Sequence, residues 1–126
     1  MVLKNQLTIL IIEDDDLLAK MYEKNLQLAG FKVLIADRGE TGEELASSQK
    51  PDLVLLDIIM PTQDGFTTLI NLRKDKEAKN IPIILLTNLG QEADVQKGKS
   101  LGANDYLVKS ETNPSQLLEK IKKFLK

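Results

Sequence analysis

Short apolar runs alternate with amphipathic stretches along this chain. The runs read as strands lie at 7–12, 31–36, 53–56, 83–86 and 105–108. Several are apolar throughout, as expected for parallel strands buried on both faces. Five helices are predicted between and after them. The first, 16–29, carries acids in its first turn and has Gly30 as its stop. The second, 39–48, is weakly patterned. The third places Phe66, Leu69, Ile70 and Arg73 at i, i+3, i+4 and i+7, so three apolar side chains share a face. The fourth, 91–101, has only Ala93, Val95 and Leu101 to bury, and Gly98 weakens it by about 1 kcal/mol relative to alanine. The fifth has Asn113 as cap and Pro114 at its first position, followed by a stripe of Leu117, Leu118, Ile121, Phe124 and Leu125. Five β–α units in series predict an α/β domain with a parallel sheet and right-handed crossovers. The 126 residues fit one domain, 1–126, and no second domain is expected after the fifth helix.

Composition narrows the chemistry. The chain is 42% hydrophobic and 29% charged, with a net charge of -2, which gives no reason to expect nucleic acid or an acidic membrane surface as a direct partner. It contains neither cysteine nor histidine. Thiol nucleophiles, disulfides, the usual zinc sites and imidazole acid–base catalysis are therefore excluded. No stretch approaches the roughly 18 apolar residues of a membrane helix, and the first apolar run, broken at Glu13, is not expected to act as a secretory leader. The expected location is cytoplasmic. Lys120, Lys122, Lys123 and Lys126 form a basic cluster, read as complementing the negative end of the last helix.

The ends of the strands carry the chemistry. The first run leads into Glu13 and Asp14, the third into Asp57, the fourth into Thr87 and the fifth into Lys109. Ligands of open parallel sheets bind beyond the carboxyl ends of the strands. A carboxylate at such a place is costly unless something pairs with it, so an acidic site there implies a cation. Hard cations such as Mg²⁺ take oxygen ligands; Asp14 and Asp57 are placed to ligate directly and Glu13 to hold a metal-bound water. A carboxylate is also a nucleophile towards phosphoryl groups. A lysine can take a phosphoryl oxygen as a point charge, and Thr87 can donate to another. Asp15 and Asp16 read as the entry and first turn of the first helix.

The motifs Ile12-Glu13-Asp14-Asp15, Asp57-Ile58-Ile59-Met60-Pro61-Thr62-Gln63-Asp64-Gly65, Leu86-Thr87 and Gly102-Ala103-Asn104-Asp105-Tyr106-Leu107-Val108-Lys109 resemble bacterial response-regulator receiver domains, in particular single-domain, chemotaxis-regulator-like ones. The resemblance runs from about Thr8 to Leu125. It implies a flavodoxin-like (βα)5 fold with strand order 2-1-3-4-5. It implies that Asp57 accepts a phosphoryl group from a histidine kinase or histidine phosphotransferase. Glu13, Asp14, Asp57 and the backbone carbonyl of Ile59 would form the Mg²⁺ site. Thr87 and Tyr106 would be a switch pair, Lys109 would contact the phosphoryl group, and the output would be a protein target or a phosphorylation-dependent homodimer. Such a protein is not an enzyme beyond phosphorylating and dephosphorylating itself. Proline and glycine of the 60–65 segment are read as fixing the turn after Asp57.

Two departures from the pattern stand out. Ser110 replaces the proline that usually follows the lysine, where the family's bond is usually cis; a non-proline cis bond costs about 2.5–4 kcal/mol, which puts the placement of Lys109 in question. Ile59 and Leu89, two residues beyond Asp57 and Thr87, are apolar and cannot orient a water, so slow self-dephosphorylation is expected; the larger Asn88 is expected to restrict access further. An aspartate-nucleophile phosphohydrolase would carry a second Asp where Ile59 stands. A flavin or nucleotide module would offer Gly, Ser or Thr amides in its first loop, where this chain has four acids. A receiver used only for interaction would be expected to lack the acceptor, the acidic pair or the lysine. The weakly anchored fourth helix is the element expected to move on phosphorylation.

Overall fold

The five apolar runs form one sheet in the computed structural model, which describes residues 6–60, 64–88 and 91–125. The strands are β1 (Thr8–Ile12), β2 (Lys32–Ala36), β3 (Leu53–Asp57), β4 (Ile83–Thr87) and β5 (Asp105–Val108). All pair in parallel, in the order β2-β1-β3-β4-β5. The helices are α1 (Asp16–Leu28), α2 (Gly39–Gln49), α3 (Gly65–Lys74), α4 (Glu92–Ser100) and α5 (Pro114–Phe124).

Alternating side chains of the strands feed two cores. Ile9, Ile11, Leu53, Leu55, Ile84 and Leu86 face Ala19, Tyr22 and Leu26 of α1 and Leu117 and Ile121 of α5. Leu10, Ile12, Val54, Leu56, Ile83 and Leu85 face Ala46 of α2 and Phe66, Leu69 and Leu72 of α3. With helices on both faces, the central strands have no polar side, which is why they read as continuous apolar runs.

Three of the five helix starts, those of α1, α3 and α5, are fixed by side-chain caps. Asp15 accepts from the Leu18 amide, Asp64 from Phe66, and Asn113 from Gln116, whose own side chain reaches back to Asn113 as a capping box. Gly30, at φ +96°, follows α1. Some boundaries differ from expectation. Phe31 precedes β2 because its amide bonds to Leu26 O at the end of α1. On α3 it is Leu72, not Ile70, that joins Phe66 and Leu69 in the core. On α4 Ala93 is exposed, and the buried positions are Val95 and Gly98. A Cβ on Gly98 would press on the Leu85 side chain, so close approach of α4 to the sheet accounts for this glycine. A single 3-10 turn, Lys109–Glu111, follows β5. Pro61, Thr62, Gln63, Leu89 and Lys126, on which parts of the sequence reading fall, lie outside the described residues.

Candidate functional site

Strand register gathers the polar ends. Ile12 pairs with Leu56, Asp57 with Leu86, and Thr87 with Val108. Residues 13, 57, 87 and 109 therefore lie together at the carboxyl edge of the sheet. Glu13 and Asp57 are buried, at 1% and 2% exposure. The Lys109 ammonium bridges them, 2.9 Å from Glu13 Oε1 and 3.2 Å from Asp57 Oδ2. Asp57 Oδ1 accepts from the Ile59 amide at 3.1 Å, and Glu13 Oε2 accepts from the Asp15 amide at 3.1 Å. Asp14 completes the cluster: carboxylate oxygens of Glu13, Asp14 and Asp57 lie within 4.8 Å of one another.

The bond after the lysine is trans, since none of the described peptide bonds is cis. Lys109 still reaches both acids. It opens the 3-10 turn, which is tied back by Thr112 Oγ1 donating to Val108 O at 2.7 Å. Ser110 is therefore compatible with the geometry. Thr87 is buried, and its hydroxyl donates to Leu107 O at 3.2 Å, so it is committed to the backbone of β5. Tyr106 is half-buried and packs against the α3 side of the core. The Ile59 side chain is half-exposed at the mouth of the site.

Several contributors were not identified in the sequence. Gly65 does more than turn the chain: a Cβ there would stand 2.6 Å from Asp57 O. The Asp64-Gly65 pair after an acidic strand end was the available signal. Lys120 was read as a dipole partner, but its ammonium lies 3.3 Å from Asp105 Oδ1 and donates to Tyr106 O at 3.0 Å; Lys122 and Lys123 do lie in the last turn. Tyr22 of α1 shares a narrow cleft with Lys109 and Leu117.

Burial dominates the electrostatics. It pushes Glu13 up to about 7 against the pull of Lys109 and the Asp15 amide, with the Asp57 charge adding to the rise. It raises Asp57 as well, against Glu13, Lys109 and the Ile59 amide. Burial alone would lower the Lys109 ammonium, but the two acids outweigh it and leave it raised. Burial also raises the Tyr22 phenol. Three carboxylates against one ammonium leave an all-oxygen donor set with excess negative charge, which fits a hard divalent cation. Glu13 Oε1, buried and without a hydrogen bond beyond its ion pair, points the same way. A cation competes with the proton on Glu13. Mg²⁺ affinity, measured by calorimetry, is therefore expected to rise between pH 6 and 8 with release of protons. Without Mg²⁺ the folded state binds more protons than the unfolded chain between about 4.5 and 7, so the Glu13 contribution to stability falls as pH rises through that window.

The chain belongs to the response regulator receiver domain family, whose model matches residues 9–122. It is a receiver domain of the two-component signalling type. It is 44% identical over 101 residues to the DNA-binding dual master transcriptional regulator RpaA of Synechocystis, covering 80% of this chain and 42% of that protein. It is also 44% identical over 103 residues to protein PilH of Pseudomonas aeruginosa, covering 80% of this chain and 84% of that protein. The chain spans half or less of the length of RpaA and of the ycf27 regulators that it also matches. Among solved structures, the receiver domain of the sensor histidine kinase PA1611 of P. aeruginosa superimposes with a TM-score of 0.86 at 25% identity, over 95% of this chain and 98% of that one; it has a magnesium ion coordinated in its active-site cleft. Among the described residues, no helix is long and apolar enough to cross a membrane.

Proposed function

We propose that Asp57 takes a phosphoryl group from a phosphohistidine on a histidine kinase or histidine phosphotransferase, in the cytoplasm, and that the modification alters a protein-binding face. The observation that carries this reading is the Lys109 ammonium shared between buried Glu13 and Asp57. Asp57 presents a carboxylate oxygen as nucleophile. The P–O bond to Asp57 forms as the P–N bond of the donor breaks, and the electron pair leaves with the imidazole. Lys109 would move from the carboxylate pair onto a phosphoryl oxygen. Thr87 would give up Leu107 O to donate to another. Glu13, Asp14, Asp57 and the Ile59 carbonyl would hold Mg²⁺. The bound ion would neutralise charge on a group carrying about -1.5 to -2 as it enters an acidic site.

The output would be contact with a downstream protein or with a second copy of the chain, and not direct binding of nucleic acid. No turnover of free phosphomonoesters is expected, because Ile59 stands where a phosphohydrolase would need a second carboxylate. Incubation with acetyl phosphate and Mg²⁺ tests the reading. It expects a single hydroxylamine-labile adduct, the signature of an acyl phosphate; an adduct stable to hydroxylamine would contradict it.

The half-exposed Ile59 side chain bears on the lifetime of that adduct. Ile59→Asn adds a group able to hydrogen-bond an attacking water. One such bond is worth about 0.5–1.5 kcal/mol, so decay of the phosphoprotein should quicken about two- to tenfold. Unchanged or slower decay would show that Ile59 does not limit hydrolysis.

A further inference from the structure

Tyr106 is bound from two helices at once. The Lys99 ammonium of α4 lies 5.3 Å from its ring centroid, and the Lys120 ammonium of α5 lies 5.4 Å from it. Both are within the range in which a cation is attracted by an aromatic ring. The two lysines are held differently. Lys120 is 3.3 Å from Asp105 Oδ1 and donates to Tyr106 O at 3.0 Å, and Asp105 Oδ1 also accepts from the Tyr106 amide at 2.8 Å. Lys99 is exposed and has no ion pair among the described residues. Asp105, Tyr106 and Lys120 therefore form a closed unit on β5 and α5, whereas Lys99 reaches the ring from the helix that buries only Val95 and Gly98.

We infer that Lys99 and Lys120 are positioning residues for Tyr106, with Lys120 the fixed support and Lys99 the movable tether that joins the ring to α4. This deepens the switch reading of Thr87 and Tyr106 and rests on it. The lysines favour the ring position of the unmodified protein. When the Thr87 hydroxyl leaves Leu107 O and the ring turns, Lys99 loses its seat and α4 loses one of its few ties to β5. A group that stabilises one of two states must lower the apparent affinity of a ligand selective for the other. Removing either lysine should therefore tighten binding of a phosphoryl mimic.

The chain has only two tyrosines. Tyr22→Phe protein labelled with 3-fluorotyrosine thus gives a single fluorine resonance, from Tyr106. Magnesium with beryllofluoride is the probe, titrated into this protein and into its Lys99→Met, Lys120→Met, Lys99→Arg and Lys120→Arg versions. An exposed cation–ring contact corresponds to an effect of about two- to fivefold. Each methionine variant is expected to bind the mimic about two- to fivefold more tightly. Its mimic-free resonance should lie nearer the mimic-bound position, and arginine, which keeps a cation over the ring, should restore both values. Lys99 is exposed, so that variant tests the inference even if Lys120→Met folds poorly. If the resonance moves on mimic binding in the parent but both methionine variants match it in affinity and position, the inference fails and the switch reading stands. If the mimic binds and the resonance stays in place, the switch reading and the inference fall together.

Discussion

Lys109→Met is expected to slow Asp57 phosphorylation by acetyl phosphate by about 10²–10³-fold, the range found when one preorganised donor to a developing charge is removed. Methionine keeps most of the stem and removes the charge. In the parent, the ammonium spans 2.9 Å to Glu13 and 3.2 Å to Asp57, so it is already at the acceptor before the donor arrives. A second effect follows from burial. Without Lys109, two buried acids face each other unpaired, and the cheapest response is to hold a proton. Asp57 then becomes a poorer nucleophile at neutral pH. Mg²⁺ should stabilise the variant against urea more than it stabilises the parent, because it becomes the only cation at the cluster. An intact-mass time course reads the rate. A variant phosphorylated within tenfold of the parent rate would show that the bridging geometry does not serve the transfer.

Gly65→Ala should cost about 3 kcal/mol, the upper part of the usual overpacking range, and should also displace the acceptor. The new methyl group would stand 2.6 Å from Asp57 O and 2.8 Å from Ile58 C. These are backbone atoms of the strand end and cannot rotate away. Relief requires α3 to shift, and α3 is held at its start by Gly65 N donating to Ile58 O and by Asp64 capping Phe66. Gly98 gives a useful contrast. A methyl there meets first the Leu85 side chain, which can change rotamer, and gains about 1 kcal/mol of helix propensity. Urea midpoints should therefore drop sharply for Gly65→Ala and little for Gly98→Ala. Equal midpoints would contradict the packing argument.

The parallel sheet was within reach of the sequence because β1, β3 and β4 are apolar at nearly every position, and only burial on both faces explains that; its strand order followed from the resemblance of the motifs, not from hydropathy. The gathering of Glu13, Asp14, Asp57, Thr87 and Lys109 was legible for a related reason. Each polar residue ends or follows an apolar run, and parallel strands bring such ends to one edge. What depended on side-chain packing was less visible. Ile70 and Leu72 differ by about 160° around the axis of a 3.6-residue helix, and hydrophobicity alone could not choose which one faces the core. Arg73, read only as the end of a stripe, donates to Gly102 O, Lys79 O, Ile81 O and Asn104 Oδ1, joining α3 to the entry of β4 and to the turn between α4 and β5. Lys120 sat in a run of lysines that disguised its attachment to Asp105. Ser110 drew attention to the peptide bond, while the lysine is placed by the 3-10 turn and by Thr112.

The account rests on one carboxylate. Incubation with acetyl phosphate or phosphoramidate, followed by intact-mass spectrometry, tests it most directly. It predicts one phosphoryl adduct on the unmodified chain, formed only with Mg²⁺ and absent from Asp57→Asn. The same adduct on Asp57→Asn at an undiminished rate, or one that forms equally well in chelator, would contradict it.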